Sequence, residues 1–240
     1  MHPILLKIGP LTLYTYGLCI ALAFFSGVWL AERRASSEGI KKSFIVDVAL
    51  VSFLSGLVGA RLFCIFFDLP YYLSHPLNIF SRAGFVWQGA LIFGVACGIF
   101  YVKKRGYKVL QITDIFSPAI ALGYSIGRLG CFFNGCCYGK LTESICGVYF
   151  PHLGATVHPT QLYESLSSLI LFFFIAKIKP TFSGAIFFTY LIGYSSIRFF
   201  IDFSRGDSPE VLLGLKLTQL ISLATIIITL FFALVCRRKH

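Results

Sequence analysis

Apolar residues run along this chain in long unbroken blocks, not in the alternation of a half-buried strand or the narrow stripe of a surface helix. Seven blocks stand out, at about 11–31, 44–67, 85–102, 109–127, 160–176, 182–203 and 215–235. Each approaches the ~20 mostly apolar residues that carry a helix across a hydrocarbon layer of ~30 Å. The pattern predicts an all-α polytopic membrane protein of seven transmembrane helices. The first block is too long for a signal-peptide core, and Glu32-Arg33-Arg34 follows it like a stop-transfer signal, so no cleaved leader is expected. Composition agrees: of 240 residues, 57% are apolar and 13% charged, against ~45–50% and ~25% in soluble domains. A disordered chain, a collagen-like chain and an ordinary soluble enzyme are excluded. The length fits a single domain over residues 1–240.

The net charge of +11 would suggest nucleic acid in a soluble protein. The placement of the charges says otherwise. Thirteen Lys and Arg fall in alternate loops and the C-terminal tail: Arg33, Arg34, Lys41, Lys42, Lys103, Lys104, Arg105, Lys108, Lys177, Lys179, Arg237, Arg238 and Lys239. The opposite side holds five, Lys7, Arg82, Arg128, Lys140 and Arg205, while Arg61, Arg198 and Lys216 lie within blocks. Cytoplasmic loops collect positive charge. The N-terminus is therefore expected outside and the C-terminus in the cytoplasm, with no nucleic-acid partner. Two outer segments are long. Residues 68–84, aromatic and punctuated by proline, read as an interfacial segment. Residues 128–158, rich in Gly and Cys, form a small extracytoplasmic insertion between helices 4 and 5. No internal repeat of the kind transporters often carry is visible.

Ionisable groups inside a span are costly and point to function. With this topology Arg61, Arg128, Arg198 and Asp202 fall near the outer ends of their spans. Tyr14, Tyr16, Gln88, Gln161 and Glu164 fall in the outer halves of theirs. Six of the seven helices thus send polar groups to one depth, and the inner half is bare apart from Asp47 and Asp114. Singly, such an arginine is a snorkelling anchor and such a tyrosine part of an interface belt. Together, three arginines with Arg205 a turn beyond exceed the carboxylates Glu164 and Asp202, and unpaired buried cations are expensive. The surplus calls for an external anion. The planar guanidinium suits phosphate, and a phosphate at that depth is a phospholipid head group.

Local patterns sharpen this. Arg198, Asp202 and Arg205 recur at i, i+4 and i+7, one helix face, with Asp202 read as a charge partner of the arginines. In His158-Pro159-Thr160-Gln161-Leu162-Tyr163-Glu164, Pro159 fits the first helical position with His158 at the cap, and Gln161 and Glu164 share a face below. The segment from Gly127 to Gly139 holds four glycines in thirteen residues. It reads as irregular backbone lining a cavity, its N–H groups free to face an anion beside Arg128.

Taken together, these stretches resemble the bacterial prolipoprotein diacylglyceryl transferases. The glycine segment is similar to that family's signature. Tyr16-Gly17, Gly59-Ala60-Arg61-Leu62, Tyr72-Leu73-Ser74-His75-Pro76-Leu77, His158 through Glu164 and Arg198 through Arg205 follow in the family's order over nearly the whole chain. The resemblance implies a multi-pass transferase of the bacterial cytoplasmic (inner) membrane, working at the outer leaflet in the first step of lipoprotein maturation. Its diacylglyceryl group comes from phosphatidylglycerol and goes to the lipobox cysteine thiol of a prolipoprotein signal peptide. A thioether forms and glycerol phosphate leaves. The implied partners are that lipid, that peptide and the bilayer. A monomer with no cofactor and no metal is expected. On matching positions, Arg128 and Arg198 bind and neutralise the phosphate as charge builds on the leaving group. Tyr16, Arg61, Asn134 and Gly139, with Gln88 and Gln161, shape the head-group site. Glu164, Asp202 and Arg205 orient the arginines.

Three positions depart from the family pattern. Cys131 stands where asparagine is commoner, and Cys136 where an acidic residue is. Trp87-Gln88-Gly89-Ala90 stands where the family often has His or Tyr before paired glycines. Glutamine is no base, so His158 is the candidate base for the acceptor thiol. A capping role for His158, with the arginines alone lowering the thiol's pKa, is the other reading.

Cys19, Cys64, Cys97 and Cys236 lie within or at the ends of spans, where small buried thiols are unremarkable. Cys131, Cys136, Cys137 and Cys146 share the outer insertion. Disulfides, free thiols and a metal site are all open there, although the spacing matches no strong zinc pattern and there is no CxxC. Rival functions fit less well. A transporter of an anionic solute needs a polar path continuing to the cytoplasmic side. A thiol redox carrier would fail on Cys136→Ser with Cys137→Ser, which the transferase should largely survive. A photoreceptor-like Schiff base needs a lysine midway along a span, and Lys216 lies at an outer end. A diverged paralogue acting on another lipid acceptor is the remaining alternative.

Overall fold

The computed structural model describes residues 2–9, 11–80, 84, 86–206, 210–212 and 214–238. Arg82 and Lys239, counted above among the loop charges, lie outside them. The described residues form mostly helix: α1 (Thr15–Ser37), α2 (Lys42–Phe67), α3 (Leu69–Ser74), α4 (Trp87–Lys104), α5 (Val109–Asn134), α6 (Thr160–Ala176), α7 (Ala185–Ile201) and α8 (Leu217–Arg238). Seven fall on the seven apolar blocks. The other, α3, opens the aromatic segment, with Pro70 in its first turn and a 3-10 turn at Pro76–Phe80 behind it. Among the described residues five helices are long and apolar enough to cross a membrane: α1, α2, α5, α7 with the turn that follows it, and α8. The apolar α6 has 17 residues, a length of ~26 Å at 1.5 Å per residue.

Short antiparallel hairpins, which the apolar blocks do not announce, precede α1 and stand between later helices: β1 (Ile4–Ile8) with β2 (Leu11–Tyr14) before α1, β3 (Val148–Phe150) with β4 (Ala155–Val157) before α6, and β5 (Glu210–Leu212) with β6 (Leu215–Lys216) before α8. Chain that leaves a helix must pair its backbone groups elsewhere. Each hairpin turn carries a glycine at positive φ, at Gly9, Gly154 and Gly214.

The chain divides into two compact units, Glu32–Ile112 and Met1–Ala31 with Thr113–His240. In the first, α2 and α4 meet through glycines. A Cβ placed on Gly59 would lie 2.5 Å from the Gly89 carbonyl, so only hydrogen fits and the backbones touch. Phe44 stacks on Tyr107 at 4.1 Å, and Tyr101 donates its hydroxyl to Asp47 at 2.9 Å.

In the second unit, α5, α6 and α7 share a core of Ala121, Leu171, Ile175, Ile186 and Tyr190. Hydroxyls stitch α5 to α6. Ser125 donates to the Ser165 carbonyl (2.8 Å), Ser165 to the Ser125 carbonyl (2.9 Å) and Ser168 to the Ala121 carbonyl (2.9 Å). The pairing is antiparallel and fixes the register. It sets Arg128, three residues beyond Ser125, level with Glu164, one residue before Ser165.

Three local expectations change. Gly127 through Asn134 is helix, the last two turns of α5, and the irregular backbone begins at Gly135 (φ 76°). This stretch stays helical because it faces protein: a Cβ on Gly130 would lie 2.9 Å from Cys19 Cβ and 3.2 Å from the Tyr16 ring. The chain resumes helix at Thr160 with Pro159 as cap, one residue later than expected. Arg198, Asp202 and Arg205 do not share one helical face, because α7 ends at Ile201 and a 3-10 turn covers Asp202–Ser204.

The start of α7 is held by Asp114, whose carboxylate accepts the Gly184 N–H at 2.6 Å and the Phe187 N–H at 2.8 Å. Asp114→Ala orphans those donors, at about 1–3 kcal/mol for a buried group left unsatisfied. The expected result is a lower midpoint of thermal unfolding in detergent; an unchanged midpoint would show that the cap contributes nothing.

Candidate active site

Glu164 is fully buried near the start of α6, and four side chains converge on it. Arg128, from the last turns of α5, pairs its Nε with Oε2. Tyr124, one turn earlier, donates its hydroxyl to the same oxygen at 2.5 Å. That hydroxyl accepts in turn from Arg128 Nε (2.9 Å) and Nη2 (2.7 Å), and the guanidinium carbon lies 4.9 Å from the Tyr124 ring centroid. On the other oxygen, Oε1, Arg198 Nη1 donates at 2.5 Å and Arg205 Nη1 at 3.3 Å. Asp202 braces the last two, with Oδ1 3.0 Å from Arg198 Nη2 and 4.0 Å from Arg205 Nε. The buried Lys216 ammonium donates to the Asp202 carbonyl at 2.7 Å and to the Arg205 carbonyl, holding the 3-10 turn that carries both residues.

Three guanidiniums thus surround two carboxylates, with the Lys216 ammonium on the backbone of the same turn. The carboxylate side chains are sealed, at 1% and 2% exposure, while Arg128, Arg198 and Arg205 keep 17%, 15% and 11%. A ligand arriving here meets guanidinium N–H groups, not carboxylate. Such an arrangement has the chemistry to hold an anion.

Gly139, Gln161, Tyr16, Asn134 and His158 belong to the same unit as this core. Gly139 donates its N–H to the His158 carbonyl at 2.8 Å. A Cβ there would meet the Ser204 carbonyl at 2.5 Å and His158 Cβ at 2.8 Å, so glycine is required where three segments cross. Lys140 N–H on the Ser204 carbonyl (2.8 Å) and His158 N–H on the Lys140 carbonyl (3.0 Å) tie the signature loop to the turn bearing Asp202. Gln161, fully buried, donates to the Cys136 carbonyl at 2.6 Å, and Thr160 to the Cys137 carbonyl at 2.8 Å. Gln161 Oε1 and Asp202 Oδ2 are buried acceptors without a hydrogen-bond donor among the described residues. Tyr16 is 42% exposed and within electrostatic reach of Arg128. Asn134 ends α5 at the surface. His158 is half-buried; its Nδ1 shares a hydrogen bond with the Tyr163 hydroxyl at 3.2 Å, and among the described residues none joins it to the arginine cluster.

Arg61 and Gln88 belong to the Glu32–Ile112 unit. Arg61 donates to the carbonyls of Gly84 (3.0 Å) and Asn78 (2.6 Å) and lies 5.3 Å over the Tyr72 ring, where it anchors the segment between α2 and α4. Gln88 is exposed in the first turn of α4.

Two members of the site were not anticipated. Tyr124 was findable, since it precedes Arg128 by four residues on one helix face. Lys216 carried only the signal of a charge inside an apolar block; its partners are main-chain carbonyls that only the folded turn brings to it.

All eight cysteines are free thiols, so none of the disulfides left open for the insertion is present. The turn at Gly135 gathers Cys131, Cys136 and Cys137. The Cys136 thiol is pushed well below its ordinary pKa by hydrogen bonds from Cys131 and Cys137.

Over residues 3–235 the chain matches the family described as prolipoprotein diacylglyceryl transferase. It is 36% identical over 239 residues to a phosphatidylglycerol–prolipoprotein diacylglyceryl transferase of Clostridium tetani (strain Massachusetts / E88), with 96% of each chain covered. It is 35% identical over 249 residues to the protein of the same name from Bacillus cereus (strain 03BB102), covering 97% of this chain and 91% of that one.

Removing the central carboxylate tests the geometry directly. Glu164→Ala leaves three guanidiniums around one carboxylate, and breaking a buried ion pair this way costs about 3–5 kcal/mol. A clear loss of thermal stability in detergent is expected. His158→Ala, outside the ion network, should leave the midpoint nearly unmoved; equal losses would contradict the central place given to Glu164.

Proposed function

The chain belongs to the prolipoprotein diacylglyceryl transferase family, and on that premise we propose that it transfers the diacylglyceryl group of phosphatidylglycerol to the lipobox cysteine of a prolipoprotein signal peptide. The carrying observation is the excess of guanidinium over carboxylate around Glu164. The lipid's phosphodiester sits on the outward N–H groups of Arg128 and Arg198. The acceptor sulfur, as thiolate, attacks the glyceryl carbon that bears the phosphate oxygen. The carbon–oxygen bond breaks, its electron pair stays with oxygen, and glycerol phosphate departs with one more negative charge than the diester carried. Preformed cations stabilise that developing charge without reorganising. Glu164 takes no proton in this scheme, since both its oxygens are already engaged; it holds the arginines in place. Tyr16, Asn134 and Gly139 border the head group. The glycerol hydroxyls supply donors of the kind that Gln161 Oε1 and Asp202 Oδ2 lack. His158 is assigned as proton acceptor for the acceptor thiol.

The same reading has a monomer in the bacterial cytoplasmic membrane, with seven helices crossing, the N-terminus outside and the site toward the outer leaflet. The thirteen-to-five distribution of loop charges supports it. A polar path for a transported anion gains no support from the inner half. Asp47 is bonded to Tyr101 and Asp114 to the start of α7.

Purified protein given phosphatidylglycerol and a lipobox peptide should add one diacylglyceryl group, read by mass. Arg128→Ala should lower turnover by ~10²-fold or more, the scale for removing one preformed donor at a developing oxyanion, with expression unchanged. Wild-type turnover in that variant would overturn the role of Arg128.

A further inference from the structure

Three sulfurs at the mouth of this site are not used by the scheme above. Cys131 lies three residues beyond Arg128 on α5, so the two side chains are helical neighbours, ~5–6 Å apart at Cβ. The chain then turns at Gly135 and comes back: the Cys136 N–H bonds the Cys131 carbonyl at 3.1 Å, and Cys137 takes a left-handed conformation (φ 62°). That conformation is unfavourable for a residue with a Cβ. It holds because Gln161 and Thr160 clamp the carbonyls of Cys136 and Cys137. The result is three thiol sulfurs all within 4.8 Å of one another. Metal–sulfur bonds of ~2.3 Å in a tetrahedral site put sulfurs ~3.8 Å apart, so closing onto an ion needs shifts below ~1 Å. Cys131 and Cys136 are half-buried and Cys137 is exposed, which leaves one side of the triangle open.

We infer that Cys131, Cys136 and Cys137 form a three-thiolate site for a thiophilic divalent cation of the zinc type, whose open fourth position takes the acceptor cysteine of the incoming peptide. Soft thiolate donors select such ions over calcium or magnesium. Three protein ligands with one open position is the arrangement of a reactive zinc site, not of a purely structural one. The inference rests on the transferase reading and deepens it, because the acceptor must be a thiolate and a coordinated thiol is deprotonated outright. The step balances. The peptide R–SH binds as fourth ligand and gives its proton to His158, which passes it to water. The sulfur then forms its bond to the glyceryl carbon as the carbon–oxygen bond breaks. The thioether product is a poor ligand and leaves, and glycerol phosphate departs from the arginines. No oxidant or reductant is needed. The site also supplies at Cys131 and Cys136 what Gln88 cannot supply as a base.

The test uses the full chain in nanodiscs, reduced and stripped of metal with a chelator. Titration with cobalt(II), a spectroscopic stand-in for zinc, should give a saturable near-ultraviolet thiolate-to-cobalt band. Zinc should displace it, Cys136→Ser should abolish it and Arg128→Ala should retain it. Stripping should slow transfer at neutral pH by about thirtyfold, the ratio of a fully ionised thiol to the few per cent thiolate of a free cysteine at pH 7, and zinc should restore it. This reverses the expectation drawn from resemblance alone: Cys136→Ser with Cys137→Ser loses transfer instead of surviving. If that variant fails to fold, stripping and reloading the wild type decides the matter. No cobalt band in reduced wild-type protein overturns the inference whatever the transfer assay gives, and so does transfer indifferent to stripping. A cobalt band in metal-loaded protein that transfers nothing overturns the transferase reading and leaves the metal site standing.

Discussion

A carboxylate buried in an apolar bundle is tolerable only if its charge is answered on every side, and Glu164 is answered by Arg128, Arg198, Arg205 and the Tyr124 hydroxyl. Withdrawing one such ion from water costs several kcal/mol even after relaxation. The site therefore stands or falls as a unit. α5, α6 and the turn after α7 must all be seated before any one of these charges is comfortable. The carboxylate acts as a template: its two oxygens fix where three guanidiniums sit, and these keep the partial exposure that the carboxylate lacks.

The supports for this cluster are themselves polar and placed one layer away. The reciprocal serine bonds between α5 and α6 set the height of Arg128 against Glu164. The Lys216 ammonium and the Lys140 N–H both hold the 3-10 turn of Asp202. In a bilayer, apolar packing gives little preference for one helix register over another, because lipid tails are as apolar as leucine. Directional hydrogen bonds and close glycine contacts do that work instead. The many bulky side chains facing outward on α1, α2 and α8 need specify nothing beyond solubility in lipid.

The glycine segment shows two different uses of one residue type. Gly130 lies within helix, where the missing side chain admits Tyr16 and Cys19. Gly135 breaks the helix through a positive φ, and that break folds Cys136 and Cys137 back onto Cys131. Without the reversal the three thiols would sit on different faces. With it, the cluster of three soft donors stands one helical turn beyond Arg128.

The chain's apolar blocks determined its class and where its long helices lie, because each is a local property of hydropathy and length, although α1 and α5 run six and seven residues past their blocks. The arginine surplus was legible for the same reason, since counting guanidinium against carboxylate needs no coordinates. The residues Arg128, Glu164, Arg198, Asp202 and Arg205 were named from spacing, and they meet. What only the tertiary structure decided is the pairing between segments remote in sequence. Examples are Tyr124 on Glu164, Lys216 on the carbonyls of Asp202 and Arg205, Gln161 on the signature loop, and the gathering of three cysteines whose spacing matches no metal pattern. These are contacts to backbone or across helices. Their energy depends on register and on positive φ at single residues, which hydrophobic periodicity does not encode.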